Sequence, residues 1–316
     1  MTLDQSQIER FHREGVLVVE NVVGESILTG LWEEYSGRMD QLYADWHADG
    51  FVGQPRSGMD FWEKLDACCA GGFDWFQSFD ISLPHADIRA DTPMHFGPAV
   101  FNLVTCPGIL DVVESLIGGE ITSNPIQHVR IKPPERRVPG NEIRAHVVST
   151  DWHQDRGVTL ESADNTEMVT VWVAVTDATV NNGCLQVIPR VNHEMFPHCQ
   201  QSQPKITDTI LSKEGAVPVP VGAGGIVLLH PLTPHASLSN HSDGYRWSFD
   251  LRYNVTGQST GREQFPSFVA RSRSNPSAEL DSWQEWKGMW EACRANLASA
   301  PHIPQHRWAS EGPACA

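Results

Sequence analysis

Cysteine is sparse and unpatterned. There are seven, an odd count, with no CxxC spacing and with Cys68 and Cys69 adjacent. That usage argues against both a thiolate zinc site and a disulfide framework, and it suits a reducing compartment. No Gly-rich phosphate loop of Walker or Rossmann spacing occurs, so a nucleotide fold has no motif to carry it. Positive charge is also short: 23 basic residues face 39 acidic ones, for a formal charge of -16. Such a surface repels a phosphate backbone, and no nucleic-acid partner is expected. No run reads as the roughly 18 consecutive apolar residues of a spanning helix. The polar start, Met1 to Gln7, has neither the basic nor the apolar part of a secretory leader. The end, Pro313-Ala314-Cys315-Ala316, fits neither a prenylation box nor a peroxisomal address. The expectation is a soluble, cytoplasmic protein with no membrane partner.

What is there is ordinary globular composition over 316 residues, 40% hydrophobic and 20% charged, enough to bury a substantial core. One domain, 1–316, is expected, with three textures. Residues 1–120 read as helices and loops. Thr2 or Asp4 caps a short helix that Gly15 stops, Ser26 opens a longer one, and Pro107 to Ile117 forms another. Residues 121–255 change to a period of two. Ile126 to Lys132 alternates, Val169 to Val175 is a strong strand, and Asn181-Asn182-Gly183 turns into a return strand, Cys184 to Ile188. Arg246 to Tyr253 is a final strand. Many short strands separated by Gly and Pro point to a sandwich or barrel. Residues 256–316 hold a loop and a helix whose stripe of Trp283, Trp286 and Trp290 reads as core packing.

Fourteen histidines raise the question of a metal. About one or two His-x-Asp/Glu matches are expected by chance. Five occur: His12/Glu14, His47/Asp49, His85/Asp87, His153/Asp155 and His241/Asp243. Only His153/Asp155 lies in the strand-rich middle and is followed by both a strong hairpin and a second histidine cluster, whereas His241/Asp243 falls in an expected turn. On a strand, residues i and i+2 share a face and can share a metal. A third ligand must come from a later strand, and both His230 and His235 qualify. Two imidazoles and a carboxylate leave three adjacent positions of an octahedral iron open, as oxygen activation requires, although zinc could use the same set.

The order of these motifs resembles the phytanoyl-CoA dioxygenase family of Fe(II)- and 2-oxoglutarate-dependent oxygenases. The likeness rests on Trp152-His153-Gln154-Asp155, on the run Trp172 to Pro189, and on Gly222 to Arg252. It includes His235-Ala236-Ser237-Leu238-Ser239-Asn240, with Arg246 eleven residues past His235. The opening Phe11-His12-Arg13-Glu14-Gly15 also looks like the family's. One departure is visible: Pro189-Arg190-Val191-Asn192-His193 stands where the family has Pro-Gly-Ser-His. The resemblance implies a double-stranded β-helix (jelly-roll, cupin-like) core, mainly β with flanking helices. It implies iron on His153, Asp155 and His235, and it prefers His235 to His230. It further implies Arg246 on the distal carboxylate of 2-oxoglutarate with Ser237 assisting, and Trp172 as a wall of the cosubstrate. The reaction implied uses O2, hydroxylates an unactivated C–H bond of a small molecule, and releases succinate and CO2. Related halogenases carry Ala or Gly at the position of Asp155, so the carboxylate argues against halogenation and for hydroxylation, or for desaturation or ring chemistry by the same oxidant.

The substrate is less legible. His128, Arg130 and Lys132 share one strand face and Gln127 lies on the other. A polar face turned inward would favour a substrate with a carboxylate, phosphate or phosphonate. Trp152 and Trp247 flank the expected metal strands and could form an aromatic wall or a cage for a quaternary amine. Two other classes stay open: a cupin-like metal barrel without 2-oxoglutarate, acting as isomerase or hydrolase, and a non-catalytic small-molecule sensor.

Overall fold

The computed structural model describes residues 2–300, 307–311 and 315, except 54–56, 85, 141, 143, 145, 190–193, 201 and 202. The family-divergent segment Arg190–His193, and His85 of one His-x-Asp pair, therefore lie outside the described residues. The N-terminal part runs α1 (Gln5–Glu14), β1 (Val16–Val19), α2 (Glu25–Ala48), α3 (Phe61–Gly71), α4 (Pro98–Val104) and α5 (Pro107–Ile117). The middle runs β2 (Glu120–Lys132), α6 (Asp155–Val158), β3 (Met168–Ala174), β4 (Leu185–Val187), β5 (Cys199–Gln200) and β6 (Pro204–Lys205). It continues through β7 (Val217–Val219), β8 (Ile226–Leu229), β9 (His235–Ser237) and β10 (Arg246–Val255). β11 (Phe268–Ser272) and α7 (Trp283–Ser299) follow.

Two antiparallel sheets face each other as a jelly roll. The larger has the order β1-β8-β3-β10-β2-β11 and the smaller β7-β4-β9, with β5-β6 as a separate pair. The strand period sorts β10 into two functions. Trp247, Phe249, Leu251 and Tyr253 enter the main hydrophobic core with Leu31, Tyr35 and Met39 of α2 and Ile109, Val112 and Val113 of α5. Arg246, Ser248, Asp250 and Arg252, also buried, alternate with them. The helices thus cover the outer face of the large sheet and leave the polar column to the barrel interior. Trp247 is fully buried, and truncating it to Ala would cost about 3–5 kcal/mol.

Helix boundaries follow local chemistry. Asp4, not Thr2, caps α1, through a reciprocal capping box with Gln7, and Gly15 ends it at φ 70°. α2 starts at Glu25 after Gly24, one residue before the expected Ser26. Pro98–Ile117 has a mean hydropathy of 1.6 over an 18-residue window, long and apolar enough to cross a membrane by composition. That corrects the expectation that no run is long enough. The stretch is broken at Thr105–Cys106 into α4 and α5, and half of it is buried.

Two other expectations change. The Asn181-Asn182-Gly183 turn does not fold β4 back on β3: β4 pairs with β7 and β9 in the opposite sheet. Trp172 and Leu185 meet in the apolar end of the barrel, so the chain crosses between sheets there. Gly183 makes the crossing, at φ 88°, where a Cβ would lie 2.6 Å from the Leu238 carbonyl oxygen. Second, Cys199 and Cys315 form a disulfide, contrary to the expectation from cysteine spacing. Their separation of 116 residues hides the pairing from any spacing rule. The adjoining tail docks close by: Trp308 Nε1 donates to the Gly157 carbonyl at 2.6 Å, Arg307 Nε to that of Thr159 at 2.7 Å, and Trp308 stacks on His198.

Candidate active site

His153 and His235 sit side by side because their backbones form an antiparallel bridge, with reciprocal N–H···O bonds of 3.0 and 2.9 Å. Each ring Nδ1 lies against a backbone carbonyl, His153 on Asp151 at 2.8 Å and His235 on Thr233 at 3.0 Å. A carbonyl only accepts, so Nδ1 carries the hydrogen and each Nε2 keeps its lone pair. Both Nε2 atoms lie 3.9 Å from Asp155, one from each carboxylate oxygen. Burial, with His235 adjacent, pushes His153 down to about 3, so its imidazole is neutral at ordinary pH.

Asp155 does not reach this place on a strand, as the i, i+2 argument expected. It is the first residue of the one-turn helix α6, and the carboxylate converges on the imidazoles from a helix start. Thr170 Oγ1 donates to its Oδ2 at 2.6 Å and Arg252 Nη2 donates to its Oδ1. Burial alone would raise the Asp155 pKa. The Arg252 guanidinium and the two imidazoles outweigh it and hold the carboxyl well below the usual range. The site is therefore two imidazoles, each with Nδ1 on a backbone carbonyl, and one carboxylate, with ligand atoms within 4.8 Å of one another. This is a donor set that fits a divalent first-row metal. His230 stands outside it, with Nδ1 accepting from Leu232 N at 3.2 Å and its ring near Phe11.

A small cavity of about 10 Å³ adjoins the triad, walled by Trp172, Leu185, Leu229, Arg246 and Asp250. Arg246 is 1% exposed. Its Nη1 donates to Ser248 Oγ at 2.5 Å, its guanidinium lies 5.1 Å from the Trp172 ring centre, and its Nε has no partner. Among the described residues no carboxylate pairs with it. Burial and the neighbouring Arg130 push it down to about 9. A buried cation without an acid is costly, and a ligand carboxylate in this chamber would compensate it, so the residues fit 2-oxoglutarate. Ser237 Oγ accepts from Lys132 Nζ and from Thr150 N, both at 2.8 Å.

The remaining candidates divide. The polar face of β2 points inward. Arg130 lines both the small cavity and a larger one of about 170 Å³, and it is tied to Asp250 at 2.6 Å. Lys132 is absent from both walls, its Nζ held by Ser237 and the Leu238 carbonyl. Gln127 points away from the barrel and donates to Ile81 O. The expected cage is not formed: Trp152 packs with Ile188, Ile206 and Leu211, while Trp247 belongs to the separate core under the helices.

Three groups escaped the sequence reading. Arg252 had a signal, because it follows Arg246 by six residues and so shares its strand face. His198, whose Nε2 accepts from Gln154 N at 3.0 Å, had none. Nor had Asp80 and His146, which meet His128 in a second cluster where His128 Nδ1 lies 2.9 Å from Asp80 Oδ2. Burial raises Asp80 to about 6 and lowers His128 to about 3.

Residues 91–248, half of the chain, match the family described as Phytanoyl-CoA dioxygenase (PhyH). The chain belongs to the phytanoyl-CoA dioxygenase family. Membership places it among the iron- and 2-oxoglutarate-dependent oxygenases. The Mus musculus phytanoyl-CoA dioxygenase domain-containing protein 1 is 26% identical over 278 residues, 79% of this chain and 89% of the mouse protein. A probable phytanoyl-CoA dioxygenase of Caenorhabditis elegans is 28% identical over 168 residues, and this match spans about half of the nematode protein (51%). Among solved structures, the non-haem monooxygenase ThoJ superposes with a TM-score of 0.56 at 22% identity, covering 92% of this chain and 98% of ThoJ. The epimerase SnoN, in complex with Fe3+, α-ketoglutarate and nogalamycin RO, gives 0.51 at 20% identity over 81% and 86%. These structural likenesses establish the shared fold.

Proposed function

We propose that the protein hydroxylates an unactivated C–H bond of a small-molecule substrate, using Fe(II), 2-oxoglutarate and O2 and releasing succinate and CO2. One observation carries the reading: a buried triad of two imidazoles and a carboxylate stands beside a buried guanidinium with no described acid of its own. In this reading His153, Asp155 and His235 hold the iron. Arg246 takes the distal carboxylate of the cosubstrate with its planar fork, and Trp172 walls it. Ser237 keeps a hydroxyl hydrogen to offer the same carboxylate. Bound iron supplies oxygen activation at its open positions, with 2-oxoglutarate as the source of two electrons.

The chain's own residues prepare that chemistry. Carbonyls of Asp151 and Thr233 keep both Nε2 lone pairs aimed at the metal position. Thr170 and Arg252 hold the Asp155 carboxylate in place and anionic. His153, Asp155 and His235 are all buried, which limits the access of bulk water to the triad. A carboxylate at position 155 fills the place a halide would need, which favours hydroxylation over halogenation.

A second reading has one observation behind it. SnoN shares the fold and is an epimerase, so the same centre could abstract a hydrogen without returning a hydroxyl. Succinate release tests the common part. Protein supplied with Fe(II) and 2-oxoglutarate in air should form succinate, and Asp155→Ala should abolish it. Iron-loaded protein that turns over no 2-oxoglutarate would move the metal barrel without cosubstrate to first place. An oxygen atom from O2 in the product, read by mass, separates hydroxylation from epimerisation.

A further inference from the structure

The wall of the larger cavity that holds His153 of the triad also holds His128 and His146. These two imidazoles meet Asp80 in a cluster whose ligand atoms all lie within 4.8 Å of one another. The donors come from three parts of the chain: Asp80 from the loop that follows Phe79, His128 from β2, and His146 from the loop that leads to His153. Two imidazoles and a carboxylate are the donor set of the triad itself. The ring spacing repeats as well, with the centres of His128 and His146 4.4 Å apart against 4.2 Å for His153 and His235.

The carboxylate is oriented by its backbone neighbours. Asp80 is buried, and its Oδ1 accepts from Ile81 N at 2.9 Å and from Val129 N at 3.1 Å. That turns Oδ2 toward the imidazoles, 2.9 Å from His128 Nδ1. Phe76 stacks on the His146 ring, with centres 4.9 Å apart and planes 2° from parallel. Contacts of this kind orient metal ligands from outside the coordination sphere. Burial raises Asp80 to about 6 and lowers His128 to about 3, so near pH 7 the carboxylate is ionised and that imidazole is neutral. Those are the ligating forms. Three arginines of the same cavity each carry an acid partner, Arg130 on Asp250, Arg252 on Asp155 and Arg144 on Glu142, so their charge opposes an ion here only weakly.

We propose that Asp80, His128 and His146 form a second metal site, which takes a divalent zinc ion and leaves its remaining position to water or to a substrate oxygen. Two histidines and a carboxylate with one open position are a set that zinc takes in tetrahedral geometry. Zinc also binds such donors more tightly than iron(II) or manganese(II). The site stands apart from the iron and 2-oxoglutarate reading, and it puts two ions on one cavity.

Counting zinc tests it. Full-length protein stripped by a chelator is dialysed against zinc held at a fixed free concentration by a chelating buffer, and bound metal is measured by atomic emission. The wild type should hold two zinc ions per chain, and His153→Ala/Asp155→Ala should keep one. His146→Ala should also keep one; this residue is only half-buried, and circular dichroism checks that the variant is folded. Asp80→Asn should lose the same ion, and the triple variant His146→Ala/His153→Ala/Asp155→Ala should hold none. The visible band of the anaerobic Fe(II)–2-oxoglutarate complex reads the triad separately and should persist in His146→Ala. One zinc ion in the wild type, lost in His153→Ala/Asp155→Ala, overturns the proposal. So does a second ion that persists in both His146→Ala and Asp80→Asn, because it then sits elsewhere on the acidic surface. A missing band with two zinc ions bound, one of them removed by His146→Ala, would count against the cosubstrate reading alone.

Discussion

Arg252 and Thr170 grip opposite oxygens of Asp155, the guanidinium on Oδ1 and the hydroxyl on Oδ2. Arg252 also donates to the Ile126 carbonyl at 3.0 Å, so it ties the acidic member of the triad to β2. Such partners of a metal ligand commonly set metal affinity by 10–100-fold. Arg252→Gln should therefore weaken Fe(II) or Mn(II) binding by about 10–100-fold, measured by metal titration of folded variant. Unchanged affinity would mean that Thr170 alone orients the carboxylate.

Arg246 separates function from stability. Its guanidinium is buried without a described acid partner, so the apoprotein gains little from its charge. Arg246→Gln should leave the apoprotein's melting temperature unchanged or raised, while 2-oxoglutarate binding falls by about 30-fold or more, the effect of removing one partner of a buried charge pair. Calorimetry with and without the cosubstrate checks both. A variant that unfolds while still binding 2-oxoglutarate contradicts the assignment.

Acid should destabilise the apoprotein early. His128 and His153 are lowered to about 3 and His198 to about 4, all chiefly by burial. Between these values and an ordinary histidine's, the unfolded chain binds protons the native state refuses, so stability is lost as pH falls through this window. Asp80, raised to about 6, works the other way by binding its proton first in the native state. The balance near pH 5 is about two protons, or about 3 kcal/mol per pH unit. Denaturant midpoints from pH 7 to 5 should fall steeply, and a flat profile would contradict the buried neutral histidines.

Gly157 follows Asp155 by two residues, and a Cβ there would lie 2.4 Å from the His198 ring. His198 accepts from Gln154 N, so displacing it disturbs the backbone between the two triad members. Gly157→Ala should cost about 1–3 kcal/mol and reduce metal affinity, whereas the paired variant His198→Ala/Gly157→Ala should recover part of the melting temperature. Thermal unfolding of the two variants decides it.

The Cys199–Cys315 bond closes a loop of 116 residues and holds the tail near the triad. Its reduction should lower stability by about 2–4 kcal/mol and open residues 307–311 to protease. Mass mapping of non-reduced peptides should find this pair, with Cys68, Cys69, Cys106, Cys184 and Cys293 as thiols.

Much of this architecture was legible because it is periodic. β3, β10 and α5 follow from alternation and helical spacing, and the ordered motifs from His153 to Arg246 pointed to the jelly roll. What escaped was non-local. β2 begins at Glu120, six residues before the expected Ile126, because Asn124 and Pro125 break the apolar pattern and Asn124 Oδ1 accepts from Ile126 N instead. Asp80, His146 and His198 reach the cavity region from loops without a period, and the crossing of β4 to the second sheet depends on partners such as Val219 and Ser237. The inward direction of Arg130 required the helices to claim Val129 and Ile131 for the outer core.

The most direct test of the central claim is anaerobic addition of Fe(II) and then 2-oxoglutarate to apoprotein, followed by visible absorption. A weak metal-to-ligand charge-transfer band should grow to one equivalent of each. It should be absent in His153→Ala and Asp155→Ala, and in Arg246→Gln it should need far more cosubstrate. Folded protein that binds iron and develops no band would contradict the account.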